Sequence, residues 1–181
     1  MQIVIIDIGI GNITSVKNWL GRLLLESVIV SCDSRIPEED DSILVFPGVG
    51  DSVEYTRLLK SWPRLTKKLQ SQRFTRVIGI CAGYQALCSS VSENGRTEVG
   101  LGLIPAISTE LDMLAPHNGW ESVDFDRFNV KFDSRYRRKV FFNHSCGVVA
   151  HDKEDNRFDS KDCGYTNFYM TPSVFGLQFH P

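Results

Sequence analysis

The strongest constraint on the fold is a cysteine set between glycines, in the segment Gly79-Ile80-Cys81-Ala82-Gly83. The apolar run 76–78 precedes this segment and the helix-forming stretch 84–87 follows it. A strand, a sharp turn that carries a reactive side chain and a helix make up a nucleophile elbow, in which glycines let backbones approach closely. A lone cysteine is more often a core residue, but this context predicts that Cys81 is a nucleophile. Its place at a helix N-terminus predicts that the thiolate is favoured.

A histidine lies at the other end of the chain. The segment 176–181 is strand-like and carries His180 next to its last residue. A cysteine on an elbow and a histidine at a strand end can meet as nucleophile and base. The other histidines, His117, His144 and His151, have no metal-ligand spacing, and the five cysteines form no C-x-x-C pair. We therefore expect a cysteine-dependent site without a metal or other cofactor.

Length and charge narrow the class of protein. The 181 residues predict a single domain over 1–181. The formal net charge of −2 gives no general attraction to nucleic acid. A local basic cluster is more typical of a solvated loop or edge, although it also suits a nucleic-acid patch or an anionic substrate or partner. Its members are Arg135, Arg137, Arg138 and Lys139. No apolar run is long enough to span a membrane, and no secretory signal is evident. The odd number of cysteines favours a reducing cytoplasm.

Apolar strands alternate with helical patterns in the first half of the chain. The predicted strands are 2–6, 27–31, 42–46 and 76–80. The first helix is expected from Ile13 to about Leu25, capped by Asn12, with an apolar face of Val16, Leu20, Leu23 and Leu24. Asp51 or Ser52 caps a second predicted helix, and Pro63 opens a third. The pattern predicts an α/β fold, a mainly parallel central sheet flanked by helices on both faces.

The second half predicts a smaller mixed or antiparallel β region. Its candidate strands are 101–104, 122–125, 140–143, 147–150, 164–169 and 174–179. The polar segment 152–162 is expected to be an exposed loop.

Two glycine-rich segments follow predicted strands. Gly9-Ile10-Gly11-Asn12 lacks the third glycine of a dinucleotide-binding fingerprint, so a tight turn between strand and helix is the better interpretation. Pro47-Gly48-Val49-Gly50 is consistent with a simple turn. Loops at the carboxyl ends of parallel strands, however, bind ligands, and their exposed N–H groups can hold an oxyanion. With the elbow nearby, we favour the oxyanion interpretation.

Seven ordered motifs resemble those of class I, or triad-type, glutamine amidotransferases, and most closely the glutaminase subunit of imidazole glycerol phosphate synthase. The motifs are Asp7-x-Gly9-x-Gly11-Asn12-x-x-Ser15, Pro47-Gly48-Val49-Gly50, Gly79-Ile80-Cys81-x-Gly83-x-Gln85, Gly100-Leu101-Gly102-Leu103-Ile104, Pro116-His117-x-Gly119-Trp120, His144-Ser145 and Gln178-Phe179-His180-Pro181. The resemblance covers essentially the whole chain, and seven motifs in one order are hard to obtain by chance.

The resemblance implies that Cys81 attacks the carboxamide of glutamine, that His180 moves the proton, and that water hydrolyses the glutamyl thioester. It implies an oxyanion site at Gly48, Val49, Gly50 and Ala82, a substrate site at Gln85, Glu93, His144, Ser145 and Cys146, and a partner interface at Asn12, Trp120 and Phe141. Glu93 suits the ammonium of glutamine. The implied partner is a synthase (cyclase) subunit, which would receive the ammonia in a heterodimer that makes imidazole glycerol phosphate for histidine biosynthesis.

Departures from the family pattern bear on the partner and on activity. Ala82 stands where leucine is usual, Asn118 where methionine is common, Glu121 where asparagine is common, and Phe141 where tyrosine is usual. These changes are also consistent with a paralogue that supplies ammonia to a sugar-amidating enzyme of surface polysaccharide biosynthesis. The family's third triad residue is a glutamate directly after the His-Pro pair, so we expect the sequence to be truncated after Pro181. A chain without that glutamate also fits a catalytically silent binding subunit, and the elbow by itself fits an unrelated cysteine hydrolase.

Overall fold

The computed structural model describes residues 1–111, 116–123, 139–152, 157–160 and 165–181. Arg135, Arg137 and Arg138 of the predicted basic cluster lie outside these residues. The same is true of Cys163, and of the second half of the predicted strand 122–125.

Thirteen strands and four α-helices are present in the described part of the chain. The strands are β1 (Gln2–Ile6), β2 (Ser27–Val30), β3 (Ser42–Pro47), β4 (Arg76–Ile80), β5 (Cys88–Glu93), β6 (Arg96–Val99), β7 (Ile104–Glu110), β8 (His117–Ser122), β9 (Lys139–His144), β10 (Cys146–Ala150), β11 (Phe158–Ser160), β12 (Thr166–Met170) and β13 (Val174–Leu177). The helices are α1 (Ile13–Arg22), α2 (Ser52–Lys60), α3 (Pro63–Gln70) and α4 (Ala82–Ala86).

One large sheet runs through the molecule in the order β2-β1-β3-β4-β13-β12-β10-β7-β5-β6, with β11 on the side of β12. The first five strands of this order are parallel to one another. From β13 onward most neighbours are antiparallel, and the pair β5 and β7 is parallel. Strands β8 and β9 form a separate antiparallel pair. The expected mainly parallel sheet with a mixed region is confirmed, and the mixed strands continue the same sheet.

Helices cover both faces of the parallel half. Ile3 and Ile5 of β1 pack with Val16 and Leu20 of α1 on one face. Alternate residues of a strand point to opposite faces, so Val4 and Ile6 belong to the other cluster. The other three helices supply that cluster with Tyr55, Leu59, Leu65, Leu69, Tyr84 and Ala86. In the described part of the chain, no helix is long and apolar enough to cross a membrane.

The first-half predictions are largely confirmed. Asn12 caps α1, its side-chain oxygen accepting the Ser15 N–H at 3.2 Å, and the Asp51 carboxylate caps α2 by accepting the Glu54 N–H at 2.8 Å. The end of α1 was wrongly predicted, because Leu24 has a φ of +58° and the helix stops at Arg22. Leu23 and Leu24 are therefore 41% and 91% exposed rather than part of the buried face.

The second-half predictions were less accurate. Strand β7 begins at Ile104, so the predicted strand 101–104 is wrong except at its last residue. Strand β11 lies inside the segment predicted to be a loop. The hairpin of β5 and β6 was missed, although Asn94-Gly95 between them has positive φ values of 53° and 68° and is a strong hairpin signal.

Candidate active site

Cys81 lies at the apex of a strained turn between β4 and α4. Its φ is +52° and its ψ is −114°, a conformation that a non-glycine residue rarely adopts. The Cys81 N–H donates to the Leu177 carbonyl oxygen at 2.7 Å, which fixes the apex to β13. Backbone strain of this kind persists only where the surrounding structure enforces it, and it is concentrated at functional sites.

Close backbone contacts hold the elbow in place. A Cβ at Gly48 would collide with the backbone nitrogen of Gly83, and a Cβ at Gly83 would collide with the carbonyl oxygen of Phe46. The two glycines therefore let the loop after β3 and the first turn of α4 come together. The sequence order of strand, turn and helix predicted the elbow itself, and the packing of the loop against it is seen only in the structure.

A cavity of about 360 Å³ opens beside Cys81. Two sides of the cavity can be distinguished. The elbow wall is Gly48–Gly50 with Cys81–Gln85, of which Gly50, Cys81 and Gln85 line the cavity. The hairpin wall is His144–Cys146, which line the cavity, together with His117, which contacts His144 from behind. The residues that line the cavity are Gly50, Asp51, Cys81, Gln85, Glu93, Asn94, Pro116, Asn143, His144, Ser145 and Cys146.

Burial governs the chemistry of the nucleophile. Cys81 is 5% exposed, and burial raises the pKa of its thiol to about 12. The negative charge of Glu93 raises this pKa further, while a backbone hydrogen bond from Ala82 lowers it. The expectation that the helix dipole favours the thiolate is therefore wrong for this conformation. Helix α4 is only five residues long, and loss of water outweighs its dipole.

Glu93 is oriented by the start of α2. Its Oε2 accepts the Ser52 N–H at 2.6 Å and the Ser52 hydroxyl at 2.7 Å. Ser52 is fully buried, so this contact is shielded from water. The carboxylate therefore presents a fixed negative charge at the cavity, where a cationic group of a ligand would be stabilised.

An amide chain connects the two walls behind the cysteine. Gln85 Nε2 donates to the Cys146 carbonyl oxygen at 2.8 Å and to Gln178 Oε1 at 3.4 Å. Gln178 Nε2 in turn lies 3.9 Å from Cys81 Sγ. Gln178 is fully buried, so its amide direction is set by Gln85. The Asn143 carbonyl oxygen lies 3.9 Å from the same sulfur and can accept the thiol hydrogen.

Some N–H groups of the loop 47–50 are hydrogen-bonded within the protein and others are not. The Gly48 N–H donates to the Ile80 carbonyl oxygen at 3.0 Å, so it is occupied in this conformation. Val49 and Gly50 are exposed, and their N–H groups make no hydrogen bond to any described residue. Val49 and Gly50 therefore remain candidate oxyanion donors, and Ala82, whose N–H hydrogen-bonds the Cys81 thiol in this conformation, is the third.

His180 approaches the site through its backbone. Its N–H donates to the Phe141 carbonyl oxygen at 2.8 Å, which ties the chain end to β9. Burial lowers the pKa of the imidazole, so the ring is neutral at neutral pH and can accept a proton. Within the described residues, no hydrogen bond joins the His180 ring to Cys81 Sγ, whose polar contacts are the Ala82 N–H, the Asn143 carbonyl and the Gln178 amide.

Comparison with known proteins decides the family. The family model "Glutamine amidotransferase class-I" matches residues 4–181. The chain belongs to the class I glutamine amidotransferase family.

Individual relatives agree with this assignment. The chain is 31% identical to imidazole glycerol phosphate synthase subunit HisH 2 of Methanococcus maripaludis, over 99% of this chain and 91% of that protein. It is also 31% identical to imidazole glycerol phosphate synthase hisHF, chloroplastic, of Arabidopsis thaliana, over 99% of this chain but 31% of that longer protein. A solved glutamine amidotransferase matches with a TM-score of 0.72 and 14% identity, covering 100% of this chain and 90% of that chain. This last likeness shows the fold.

The amidotransferase fold gathers most of the residues predicted from sequence. Seven of them line the cavity, namely Gly50, Cys81, Gln85, Glu93, His144, Ser145 and Cys146. Gly48, Val49, Ala82 and His180 adjoin it through the loop, the elbow and β9. Of the predicted interface residues, Trp120 and Phe141 face each other across the β8–β9 pair with ring centroids 5.5 Å apart, and Asn12 is exposed at the start of α1.

Sequence reasoning missed several residues of the amidotransferase site. Ser52 holds Glu93, Asn143 and Gln178 contact the Cys81 sulfur, and three further residues line the cavity, namely Asp51, Asn94 and Pro116. Gln178 stands in a motif that the sequence made visible, two residues before His180. No short sequence motif could predict the contact between Ser52 and Glu93, because the two residues are 41 positions apart in the chain.

Proposed function

We propose that the chain is a glutaminase subunit that hydrolyses glutamine through a Cys81 thioester and passes ammonia to a synthase subunit making imidazole glycerol phosphate. The observation that carries the proposal is the opening of the Cys81 elbow into a cavity lined by Glu93 and the segment 144–146. A nucleophile, a carboxylate and a backbone segment at one cavity suit a ligand with a carboxamide, an ammonium and a carboxylate.

Substrate orientation follows from these groups. The ammonium of glutamine pairs with Glu93, whose carboxylate is fixed by Ser52. Its carboxylate lies against the backbone around Ser145, and its carboxamide carbon faces Cys81. Gln85 supports this arrangement by holding the Cys146 carbonyl.

Substrate binding also activates the nucleophile. The charge of Glu93 raises the pKa of the Cys81 thiol, so an ammonium paired with that carboxylate lowers the pKa again. The neutral His180 ring then takes the thiol proton while Sγ attacks the carboxamide carbon. Catalytic hydrogen bonds often shorten only when substrate is bound, so the ring is expected to come within reach of Sγ in the complex.

The reaction then proceeds in two halves. The oxyanion of the tetrahedral intermediate accepts hydrogen bonds from the N–H groups of Val49, Gly50 and Ala82. His180 returns its proton to the leaving nitrogen, and ammonia departs as the C–N bond breaks. Water, deprotonated by the same ring, cleaves the thioester to release glutamate and restore the thiol.

A synthase subunit is the proposed partner. The Methanococcus and Arabidopsis relatives carry the name imidazole glycerol phosphate synthase, and in the Arabidopsis protein the similar region is part of a longer chain. Trp120, which is 67% exposed, supplies an aromatic surface next to Phe141, whose carbonyl holds His180. A partner that contacts this surface would therefore influence the position of the base. A heterodimer is the proposed assembly.

The cytoplasm is the proposed location. Cys32, Cys81, Cys88 and Cys146 are all free thiols, which a reducing compartment preserves.

The test combines a glutamine-analogue alkylating agent with measurement of glutamate release, both with and without an imidazole glycerol phosphate cyclase subunit. We expect mass spectrometry to find the label on Cys81, and glutamate release to rise when the cyclase and its nucleotide substrate are added. Cys81→Ala should lose activity by about 10³-fold or more, and Cys32→Ser should retain it. Absence of labelling under every condition would contradict the glutaminase proposal. Labelling of Cys81 without any response to the cyclase would instead favour a different ammonia acceptor, such as a sugar-amidating enzyme.

A further inference from the structure

The turn between β5 and β6 is bound to the residues that directly follow the candidate oxyanion donors. The loop 47–50 leads into Asp51, which caps α2, and Ser52, the first residue of that helix. Ser52 donates to Glu93, the last residue of β5. Arg96, the first residue of β6, donates through Nη2 to Asp51 Oδ2. The turn therefore holds the outer end of the loop from both of its strands.

This turn is itself firmly supported. Asn94 and Gly95 have positive φ values and form a two-residue turn, which suits the twist of an antiparallel pair. Glu93 is directly opposite Arg96 in the register of β5 and β6. The Asn94 N–H donates to Glu110 Oε1 at 2.7 Å, which ties the turn to the end of β7. The turn is thus joined to the large sheet by more than its own two strands.

The Asp51 carboxylate serves α2 and the turn at the same time. Its Oδ1 accepts the Glu54 N–H at 2.8 Å, while its Oδ2 accepts from Arg96. Burial raises the pKa of this carboxyl, but the Glu54 N–H and the positive charge of Arg96 lower the pKa more, so the net shift is downward. The carboxylate is therefore ionised at neutral pH and is held on both of its oxygens.

The inner end of the loop is held by different contacts. Gly48 packs on the backbone of Gly83, with no space for a side chain at either position. Val49 and Gly50 lie between this inner end and Asp51, and their N–H groups make no hydrogen bond to any described residue. With two residues between two fixed ends, the position of Asp51 limits the directions in which these N–H groups can point.

We propose that Arg96 is a positioning residue for the oxyanion site, which acts through Asp51 to fix the N–H groups of Val49 and Gly50. Asp51 lines the cavity and Arg96 is not among the lining residues, so Arg96 acts on its partner and not on the ligand. The inference rests on the proposed glutaminase function for its catalytic consequence, whereas the anchoring of the loop does not depend on it.

The first experiment measures the motion of the loop and needs no turnover. Backbone ¹⁵N relaxation of the full chain gives order parameters for Val49 and Gly50, in the wild type and in Arg96→Met, which removes the charge but keeps an unbranched side chain. We expect values of about 0.85 in the wild type and of about 0.6 or lower in the variant. Equal values in the two proteins would overturn the proposal whether or not the chain hydrolyses glutamine. Values of about 0.6 already in the wild type would overturn it too.

Arg57→Met is the matched control. Arg57 Nε donates to Glu98 Oε2 at 3.1 Å and so also joins α2 to β6, but neither residue lines the cavity. The arginine and carboxylate side chains are 42% and 29% exposed in the Arg96–Asp51 pair, and 47% and 22% exposed in the Arg57–Glu98 pair. Partly exposed ion pairs contribute little to stability, so both variants should fold. An equal loss of order at Val49 and Gly50 in the control would contradict a specific role of Arg96.

The second experiment separates kcat from KM for glutamine. Oxyanion donors act in the transition state, and removal of one whole donor lowers kcat by about 10²- to 10³-fold. In Arg96→Met the donors remain but are less well placed, so we expect kcat to fall by about 10-fold and KM to stay within about 2-fold. A raised KM with unchanged kcat would refute a role at the oxyanion site, and Arg57→Met should alter neither. Absence of hydrolysis by the wild-type chain would contradict the glutaminase proposal, and the relaxation measurement would still decide whether Arg96 anchors the loop.

Asp51→Asn tests whether Arg96 acts through Asp51. Asparagine also caps helices well and can accept from Arg96, but it lacks the charge. We expect kcat to fall by about 3-fold, and the double variant with Arg96→Met to be no slower than Arg96→Met alone. Losses that multiply in the double variant would show that the two residues act independently, which would overturn the proposal.

Discussion

The elbow wall and the hairpin wall of the cavity are held by different forces. The elbow wall is built from backbone contacts, with Gly48 against Gly83 and the Cys81 N–H on the Leu177 carbonyl. The hairpin wall is built from side-chain hydrogen bonds, through His117, His144 and the Cys146 carbonyl. The reactive sulfur is thus held by backbone contacts, and the segment 144–146 is held by side-chain hydrogen bonds.

The two walls should therefore respond differently to substitution. A backbone contact has no room for an extra carbon, because the colliding atoms belong to the main chain and cannot rotate away. A side-chain network tolerates substitution of its volume but depends on charge and on hydrogen positions. Substitutions in the elbow wall should therefore affect stability and activity together. Those in the hairpin wall should affect binding and pH response first.

The largest effect is expected for Gly83→Ala. The added Cβ meets the backbone of Phe46, so the free energy of unfolding should fall by about 1–3 kcal/mol or more, with loss of glutamine hydrolysis. Urea denaturation followed by circular dichroism measures the first, and glutamate release the second. The matched control is Gly21→Ala in α1, where an added Cβ meets nothing within 4 Å. It should stabilise the protein by about 0.5–1 kcal/mol. Equal effects of the two substitutions would show that the elbow is not held by its backbone contacts.

The same difference explains how far the sequence could predict the site. Features that depend on residues close together in the chain were predicted correctly. These are the elbow, its flanking strands and the caps of α1 and α2. The hydrogen bond between His117 and His144 spans 27 positions, and the orientation of Glu93 depends on Ser52, 41 positions away. Neither contact leaves a local signal, because each depends on how strands are placed side by side.

The nucleophile's ionisation was predicted wrongly for a related reason. The position of Cys81 before a helix is a local fact, and it suggested a stabilised thiolate. Burial is a property of the whole fold, and together with the Glu93 charge it raises the thiol pKa instead. Substitution of Glu93 tests the smaller of these two causes.

Glu93→Gln is expected to have the next largest effect, with a gain in the reactivity of the thiol and a loss of affinity for glutamine. Removing the negative charge should lower the pKa of the Cys81 thiol and raise its rate of alkylation by iodoacetamide at pH 8 by about 3- to 10-fold, for a fall of about half to one pKa unit. The loss of the charge should also raise KM for glutamine, because the ammonium loses its partner. The Gln oxygen can still accept from Ser52, so α2 should keep its start. A slower alkylation would contradict the electrostatic role of Glu93, and Glu98→Gln serves as the charge-matched control.

Gln178→Met tests the amide that joins the two walls behind the sulfur. The substitution keeps the volume but removes the N–H near Cys81 Sγ and the oxygen that accepts from Gln85. A thiolate that loses a donor is less stable, so iodoacetamide alkylation of Cys81 should slow by about 2- to 5-fold. The sign is opposite to that for Glu93→Gln, which makes the two variants a pair. An unchanged alkylation rate for Gln178→Met would show that the Gln178 amide does not stabilise the Cys81 thiolate.

The smallest expected effect is the pH dependence of stability that His180 contributes. Burial lowers the pKa of this ring in the folded state below its value in the unfolded chain, near 6.5. As the pH falls below that value, the unfolded chain takes up the proton first, so the folded state is progressively destabilised. Stability from this group is thus present above pH 6.5 and is lost as the pH falls toward the folded pKa. One proton limits the slope to about 1.4 kcal/mol per pH unit.

Urea denaturation between pH 5 and 7.5, compared between the wild-type chain and His180→Asn, measures this slope. The variant should flatten the dependence, since the ring that resists protonation is gone. The result bears on both walls, because His180 is attached to β9 through the Phe141 carbonyl and is the proposed base for the cysteine of the elbow. If the dependence of stability on pH is the same in His180→Asn, another group causes it. Burial would then not be what lowers the pKa of the proposed base.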